Sequence, residues 1–110
     1  MSRSAPPART LRELFARNVR LMRVNGGLSQ ERMADLAQLD RTFIGSLERG
    51  ERNISIDNIE RLSTVLGIPA HELMSPEFAE RHQLDETVTR APRSARVYPA
   101  ERRPRTKPDA

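Results

Sequence analysis

The chain has no cysteine and no tryptophan among its 110 residues, and only two histidines, His71 and His82. Without cysteine there is no disulfide framework and no thiolate metal site, which suits a reducing compartment. With neither a phosphate-cradling glycine loop nor a nucleophile elbow, the sequence argues against an enzyme, and no cofactor is expected. One tyrosine and three phenylalanines are too few for a base-stacking surface of the kind that reads single-stranded RNA. No apolar run approaches membrane-spanning length, and the opening MSRSAPPART lacks the apolar stretch of a signal peptide. A soluble, cytoplasmic protein with no membrane partner is the expectation.

What is present is charge, unevenly placed around a net of +4. Between Leu11 and Met74 nine arginines face nine acidic residues, so that span is neutral. From Thr87 onward six arginines and one lysine stand against Glu101 and Asp109, with four prolines among them. Such a composition cannot bury enough surface to offset the entropy of ordering, so residues 87–110 are expected to form a disordered, basic Pro/Arg-rich tail. Residues 1–9 hold two prolines and no apolar periodicity, and read as a flexible arm. The basic character belongs largely to the tails, so high pI alone is a poor argument for nucleic-acid binding.

Between the tails the apolar residues suffice for one small core, and residues 10–75 read as a single all-α domain. Thr10-Leu11-Arg12-Glu13 is a capping box that starts a helix running to about Val24, with Leu11, Leu14, Phe15, Val19 and Met22 facing inward. Asn25-Gly26-Gly27 closes it. Ser55 can cap a fourth helix with Asp57 in its first turn, Ile59, Leu62, Val65 and Leu66 on its buried side, and Gly67 at its end. Pro69 suits the first turn of a short fifth helix through Met74. Ser75-Pro76-Glu77 can open one more short helix within residues 76–86, with Phe78 packing back on the domain and Leu84 as a last contact.

The centre of the chain is the stretch from Leu28 to Arg52, LSQERMADLAQLDRTFIGSLERGER. Met33, Ala34 and Ala37, then Leu39, then Ile44 and Leu47 fall at spacings that bury one stripe on each of two short helices. Ser29 caps the first and Asp40 the second. Only Gln38 and Leu39 lie between, which suits two helices crossing steeply rather than an antiparallel hairpin. The second helix then turns Arg41, Thr42, Ser46 and Arg49 outward.

The order Leu28-Ser29-Gln30, Met33-Ala34, Leu39-Asp40-Arg41-Thr42, Ile44, Leu47-Glu48-Arg49-Gly50 and Arg52-Asn53 resembles the lambda-repressor and Cro type of helix-turn-helix domain, the XRE family. The resemblance runs from about Leu11 to Met74. Within it, Leu39 to Asn53 also looks like the controller proteins of restriction-modification systems. It implies a compact five-helix, lambda-repressor-like DNA-binding domain with the helix from Arg41 to Arg49 in the major groove of double-stranded DNA. Arg41 has the planar fork that grips guanine O6 and N7, and Thr42, Ser46 and Arg49 are the further base-contact candidates. Ser29, Gln30, Arg52, Asn53, Ser55 and Asn58 are the phosphate candidates; ordinary capping and loop solvation is the alternative for all but Gln30, and for Ser29 and Ser55 capping is expected as well. In the family the residue matching Gln30 grips a phosphate and steadies the one matching Arg41. Arg23 and Glu48 match a structural pair that bridges the first and third helices.

Three features leave alternatives open. Gly45 inside the reader helix suits either a close approach of backbone to the duplex or the fit of a neighbouring helix. Gln38 stands where the family usually has glycine, at a turn that calls for a left-handed conformation costing roughly 1–2 kcal/mol. Ile68, Ala70, Leu73, Met74 and Phe78 form an apolar set that is either a homodimer interface or plain core. The resemblance implies dimers whose readers sit about one helical turn apart, ~34 Å, on roughly palindromic sites. The leading function is thus a homodimeric, sequence-specific transcriptional regulator. The rival is an antitoxin-like interaction module whose domain binds its own promoter and whose C-terminal tail holds a protein partner.

Overall fold

Thr10 opens the first helix with the reciprocal bonding its sequence predicts. Its hydroxyl accepts from the Glu13 backbone N–H at 3.1 Å, and the Glu13 carboxylate accepts from the Thr10 N–H at 3.1 Å. The structure, a computed structural model, describes residues 10–88, so the arm at 1–9 and the tail from 89 onward lie outside the described residues. Within that range the chain is helical throughout: α1 (Leu11–Asn25), α2 (Gln30–Ala37), α3 (Arg41–Glu48), α4 (Ile56–Leu66), a 3-10 turn (Glu72–Met74) and α5 (Phe78–Arg81). No strand occurs among the described residues.

The core is a single cluster. Phe15 and Val19 of α1, Met33 and Ala37 of α2, Ile44 and Leu47 of α3, Leu62 and Leu66 of α4, then Leu73 and Phe78, close on one another. The inward face of α1 is rotated and wider than the stripe its spacing suggests. Leu11 is 59% exposed and Leu14 and Met22 are half-buried, whereas Leu21 and Val24 are fully enclosed, as is Asn18. The reason is that α1 is a central strut touched by α3, α4, α5 and the 3-10 turn, so more than one side of it is covered.

The expected fifth α-helix is shorter and tighter than anticipated. Only Glu72–Met74 is helical, and as a 3-10 turn. The buried Asn18 amide donates to the carbonyls of Leu73 and Ser75, both at 2.9 Å, which diverts those acceptors from a continuing helix. Beyond it α5 and the following turn are bound to the body. The Phe78 ring is wholly enclosed and lies 4.5 Å between centroids from His82, which in turn meets Glu72 at 2.8 Å. Asn25 exchanges hydrogen bonds with the Asp85 backbone, donating at 3.1 Å and accepting at 2.8 Å, and Arg17 pairs with Glu86. Residues 76–86 are therefore continuous with the folded unit.

This packing corrects the expected dimer patch. Leu73 and Phe78 are 0% exposed and Ile68 is 9% exposed, so all three are core, because α1 and α5 close over the 3-10 turn. Of that set only Ala70 and Met74 reach solvent in part. Among the described residues, the large apolar groups left in water are Leu11 and Ile56.

Candidate nucleic-acid interface

Two capped helix starts position this face of the molecule. The Ser29 hydroxyl accepts from the Arg32 N–H at 2.9 Å and fixes the entry to α2. Ser55 does the same for α4, accepting from Asn58 N–H at 3.1 Å. A capping hydroxyl that accepts in this way keeps its own O–H as a donor, so capping and phosphate contact are compatible roles. Asp40 occupies the cap position of α3 but makes no side-chain cap bond.

The turn between α2 and α3 is closed by backbone bonding, with Leu39 N–H donating to Ala34 carbonyl at 2.8 Å. Gln38 takes the left-handed conformation at φ 60° and ψ 44°, the geometry glycine usually supplies. From α4, Arg61 brings its guanidinium to 3.4 Å from the carbonyls of both Ala37 and Gln38. A cation at a helix C-terminus favours the unpaired carbonyls there, which offsets part of the cost of a glutamine at this position. Nothing in the local sequence marks Arg61 for that role.

α3 is divided along its length, with an exposed first turn, a buried second half and an exposed C-cap residue. Ile44, Gly45, Ser46, Leu47 and Glu48 are buried, whereas Arg41, Thr42 and Arg49 stand exposed. Arg41 and Thr42 make no side-chain hydrogen bond or ion pair among the described residues. Arg49 lies against Glu51, its Nε donating to the carboxylate at 3.2 Å. Ser46 departs from the expected outward position. It is only 8% exposed, its hydroxyl reaches the Thr42 and Phe43 carbonyls at 3.2 and 3.1 Å, and it accepts from Arg52 Nε at 2.8 Å. Its side chain is thus occupied within the protein, because the chain turns at Gly50 (φ 77°) and brings Glu51 and Arg52 back to Ser46, the Glu51 N–H donating to the Ser46 carbonyl at 3.0 Å.

Beneath this surface runs a buried polar chain. Arg23 Nε and Nη2 donate to the two Glu48 oxygens at 2.6 and 2.9 Å, and Arg23 Nη1 donates to the Leu28 carbonyl at 2.8 Å. Gln30 Nε2 donates to the same Glu48 carboxylate at 3.1 Å. One N–H of the Gln30 amide remains for another acceptor. The Gln30 and Arg49 side chains both approach Gly45, whose added Cβ would lie 3.5 Å from Arg49 Nη1 and 3.8 Å from Gln30 Oε1. Both are side-chain tips at ordinary contact distance, so no neighbouring helix demands glycine there.

The remaining phosphate candidates lie on the loop after α3 and at the start of α4. Arg52, Asn53 and Ser55 are exposed and Asn58 is half-buried. Arg52 and Asn53 rim an apolar groove of about 240 Å³ lined by Phe15, Leu47, Ile54 and Ile59. Phe43 carries no functional signal in the local sequence, yet its ring lies 5.3 Å from the Arg52 guanidinium carbon. No metal-ligand cluster occurs among the described residues, and no described helix is long and apolar enough to cross a membrane.

Comparison with known proteins agrees with the all-helical fold. The family model described as helix-turn-helix, HTH_3, matches residues 19–73. A hypothetical transcription factor of Neisseria meningitidis is 44% identical over 71 residues, which are 64% of this chain and 67% of that protein. Among solved structures, the restriction-modification controller protein C.AhdI from Aeromonas hydrophila is 46% identical with a TM-score of 0.54, covering 56% of this chain and 92% of that one. The controller protein C.Esp1396I, solved as a tetramer in complex with its natural 35 base-pair operator, is 27% identical with a TM-score of 0.56 over 61% of this chain and 92% of that one.

Proposed function

The chain belongs to the helix-turn-helix family of DNA-binding transcriptional regulators, and from that premise we propose that it is a sequence-specific regulator acting as a homodimer on a roughly palindromic operator, which it reads with α3. The observation that carries this reading is the divided α3. Its buried second half anchors it in the core, while Arg41 and Thr42 project from its first turn with no side-chain partner among the described residues. A helix so mounted can enter the major groove, where Arg41 would take guanine O6 and N7 and Thr42 a base edge or a thymine methyl. Arg49, two turns along, is the third base-contact candidate, and Ser46 leaves the set.

Ser29, Gln30, Arg52, Asn53, Ser55 and Asn58 would then hold the flanking phosphates, from the two capped helix starts and the loop between α3 and α4. A domain this small touches few base pairs, and the controller protein C.Esp1396I sits on its operator as a tetramer. Two or more copies on repeated half-sites follow as the mode of binding for this chain. The interaction-module alternative rests on the tail, which lies outside the described residues, and no observation favours it.

The direct test is selection of random duplexes against the purified full-length chain. Enrichment of a sequence with two-fold symmetry and half-sites about one helical turn apart is the expected result. Recovery of an unbiased pool would overturn the proposal.

A further inference from the structure

We propose that Ser46 and Phe43 are positioning residues that hold Arg52 ready as a contact to the DNA backbone. The inference rests on the reading of α3 given above. Ser46 and Phe43 lie three residues apart on α3, hence on one side of it, and both meet the Arg52 guanidinium. Ser46 takes the Nε proton at 2.8 Å, and the Phe43 ring packs at 5.3 Å from the guanidinium carbon. The Ser46 hydroxyl is itself oriented by the Thr42 and Phe43 carbonyls, so its lone pairs face Arg52.

The chemistry of these tethers separates Arg52 from its neighbours. Arg23 is bound to Glu48, Arg49 to Glu51 and Arg17 to Glu86, each neutralised by a carboxylate. Arg52 is held by a hydroxyl and a ring, both uncharged, and pairs with no carboxylate among the described residues. Its position is fixed while its charge stays unsatisfied. The tether also uses Nε, leaving the two terminal nitrogens without a hydrogen-bond acceptor among the described residues, and this exposed fork matches two phosphate oxygens. A free surface arginine loses rotamer freedom when it binds; here the two tethers restrict that freedom on folding, so less of it opposes association.

The experiment is a double-mutant cycle in the full chain with Ser46→Ala, Arg52→Ala and both together. Binding is read on a labelled duplex of random sequence across 50–200 mM salt, because a backbone contact does not depend on sequence. Arg52→Ala is expected to flatten the logarithmic salt dependence by about 0.9. Ser46→Ala is expected to weaken binding roughly 2- to 10-fold with the salt slope retained, since the charge still docks but from a looser start. The double variant should bind as Arg52→Ala alone does. Phe43→Leu, which keeps an apolar group against the core, should behave as Ser46→Ala does, with thermal melting confirming that each variant is folded.

Ser46→Ala binding like the parent, or weakening the Arg52→Ala protein by the same factor as it weakens the parent, would overturn the positioning role. If Arg52→Ala changes neither affinity nor slope while Arg41→Ala still loses discrimination, this inference fails and the reading of α3 stands. Failure of both variants to change binding would overturn the two together.

Discussion

Glu48 Oε2 lies 2.6 Å from Arg23 Nε, with the two side chains only 2% and 8% exposed. The bond joins the end of α1 to the end of α3 and, through Gln30, to the start of α2. Removing one partner of a buried pair leaves an uncompensated charge. Glu48→Ala is therefore expected to cost about 3–5 kcal/mol in urea unfolding of the full chain. Replacing both, as Arg23→Met with Glu48→Leu, should cost less than either single change. Loss of DNA binding in Glu48→Ala should follow the unfolded fraction plus whatever release of Gln30 contributes, and a binding assay run beside the unfolding curve separates the two.

Arg41→Ala touches no internal contact and should leave thermal melting unchanged. Its effect belongs to recognition: discrimination between the selected operator and single-base variants should fall by about 1–3 kcal/mol at the position Arg41 reads. Competition among duplexes at fixed salt measures it. Discrimination equal to the parent's would remove Arg41 from the reading surface.

Glycine and glutamine at three positions make opposite predictions about stability. Gly45→Ala places a methyl at ordinary contact distance from two side-chain tips and should stabilise α3 by about 0.5–1 kcal/mol. Gly50 has φ 77°, so Gly50→Ala should destabilise by roughly 1–2 kcal/mol. Gln38→Gly relieves a left-handed glutamine and should raise the melting temperature by a few degrees, each kilocalorie shifting a domain of this size about 4–8 °C. A fall on Gly45→Ala would mean that the helix backbone is more closely packed than its neighbours indicate.

Leu73→Ala separates core from interface. With the side chain 0% exposed, truncation should cost about 2–5 kcal/mol, and the folded fraction should keep the parent's sedimentation behaviour. A stable protein that has lost self-association would return Leu73 to the interface.

The elements with strong local signatures were legible in the sequence. Thr10 with Glu13, Ser29 and Ser55 each mark a helix start by a side-chain bond to nearby backbone, and such bonds depend only on residues three apart. Gly67 likewise ends α4 in a left-handed cap. What spacing misplaced depends on distant partners. Leu21, Val24 and Asn18 are enclosed because several elements surround α1, which periodicity within α1 does not report. At the candidate site, exposed Arg41 and Thr42 follow from their register on α3. Ser46 shares that register, but the return of Arg52 over it depends on the reversal at Gly50, and no pattern of six-residue separation encodes such a meeting. Asp40 shows the converse: a residue type suited to capping that makes no cap bond here.

The division of α3 has a consequence for how such a protein changes its target over time. The residues that secure the helix, Ile44, Leu47 and Glu48, are separate from those left in water, Arg41, Thr42 and Arg49. On the reading of α3 proposed above, exchanging the second group should alter the preferred site with little effect on stability, because none of the three belongs to the core. Under that reading a change of target needs only a few surface substitutions and no repacking of the interior.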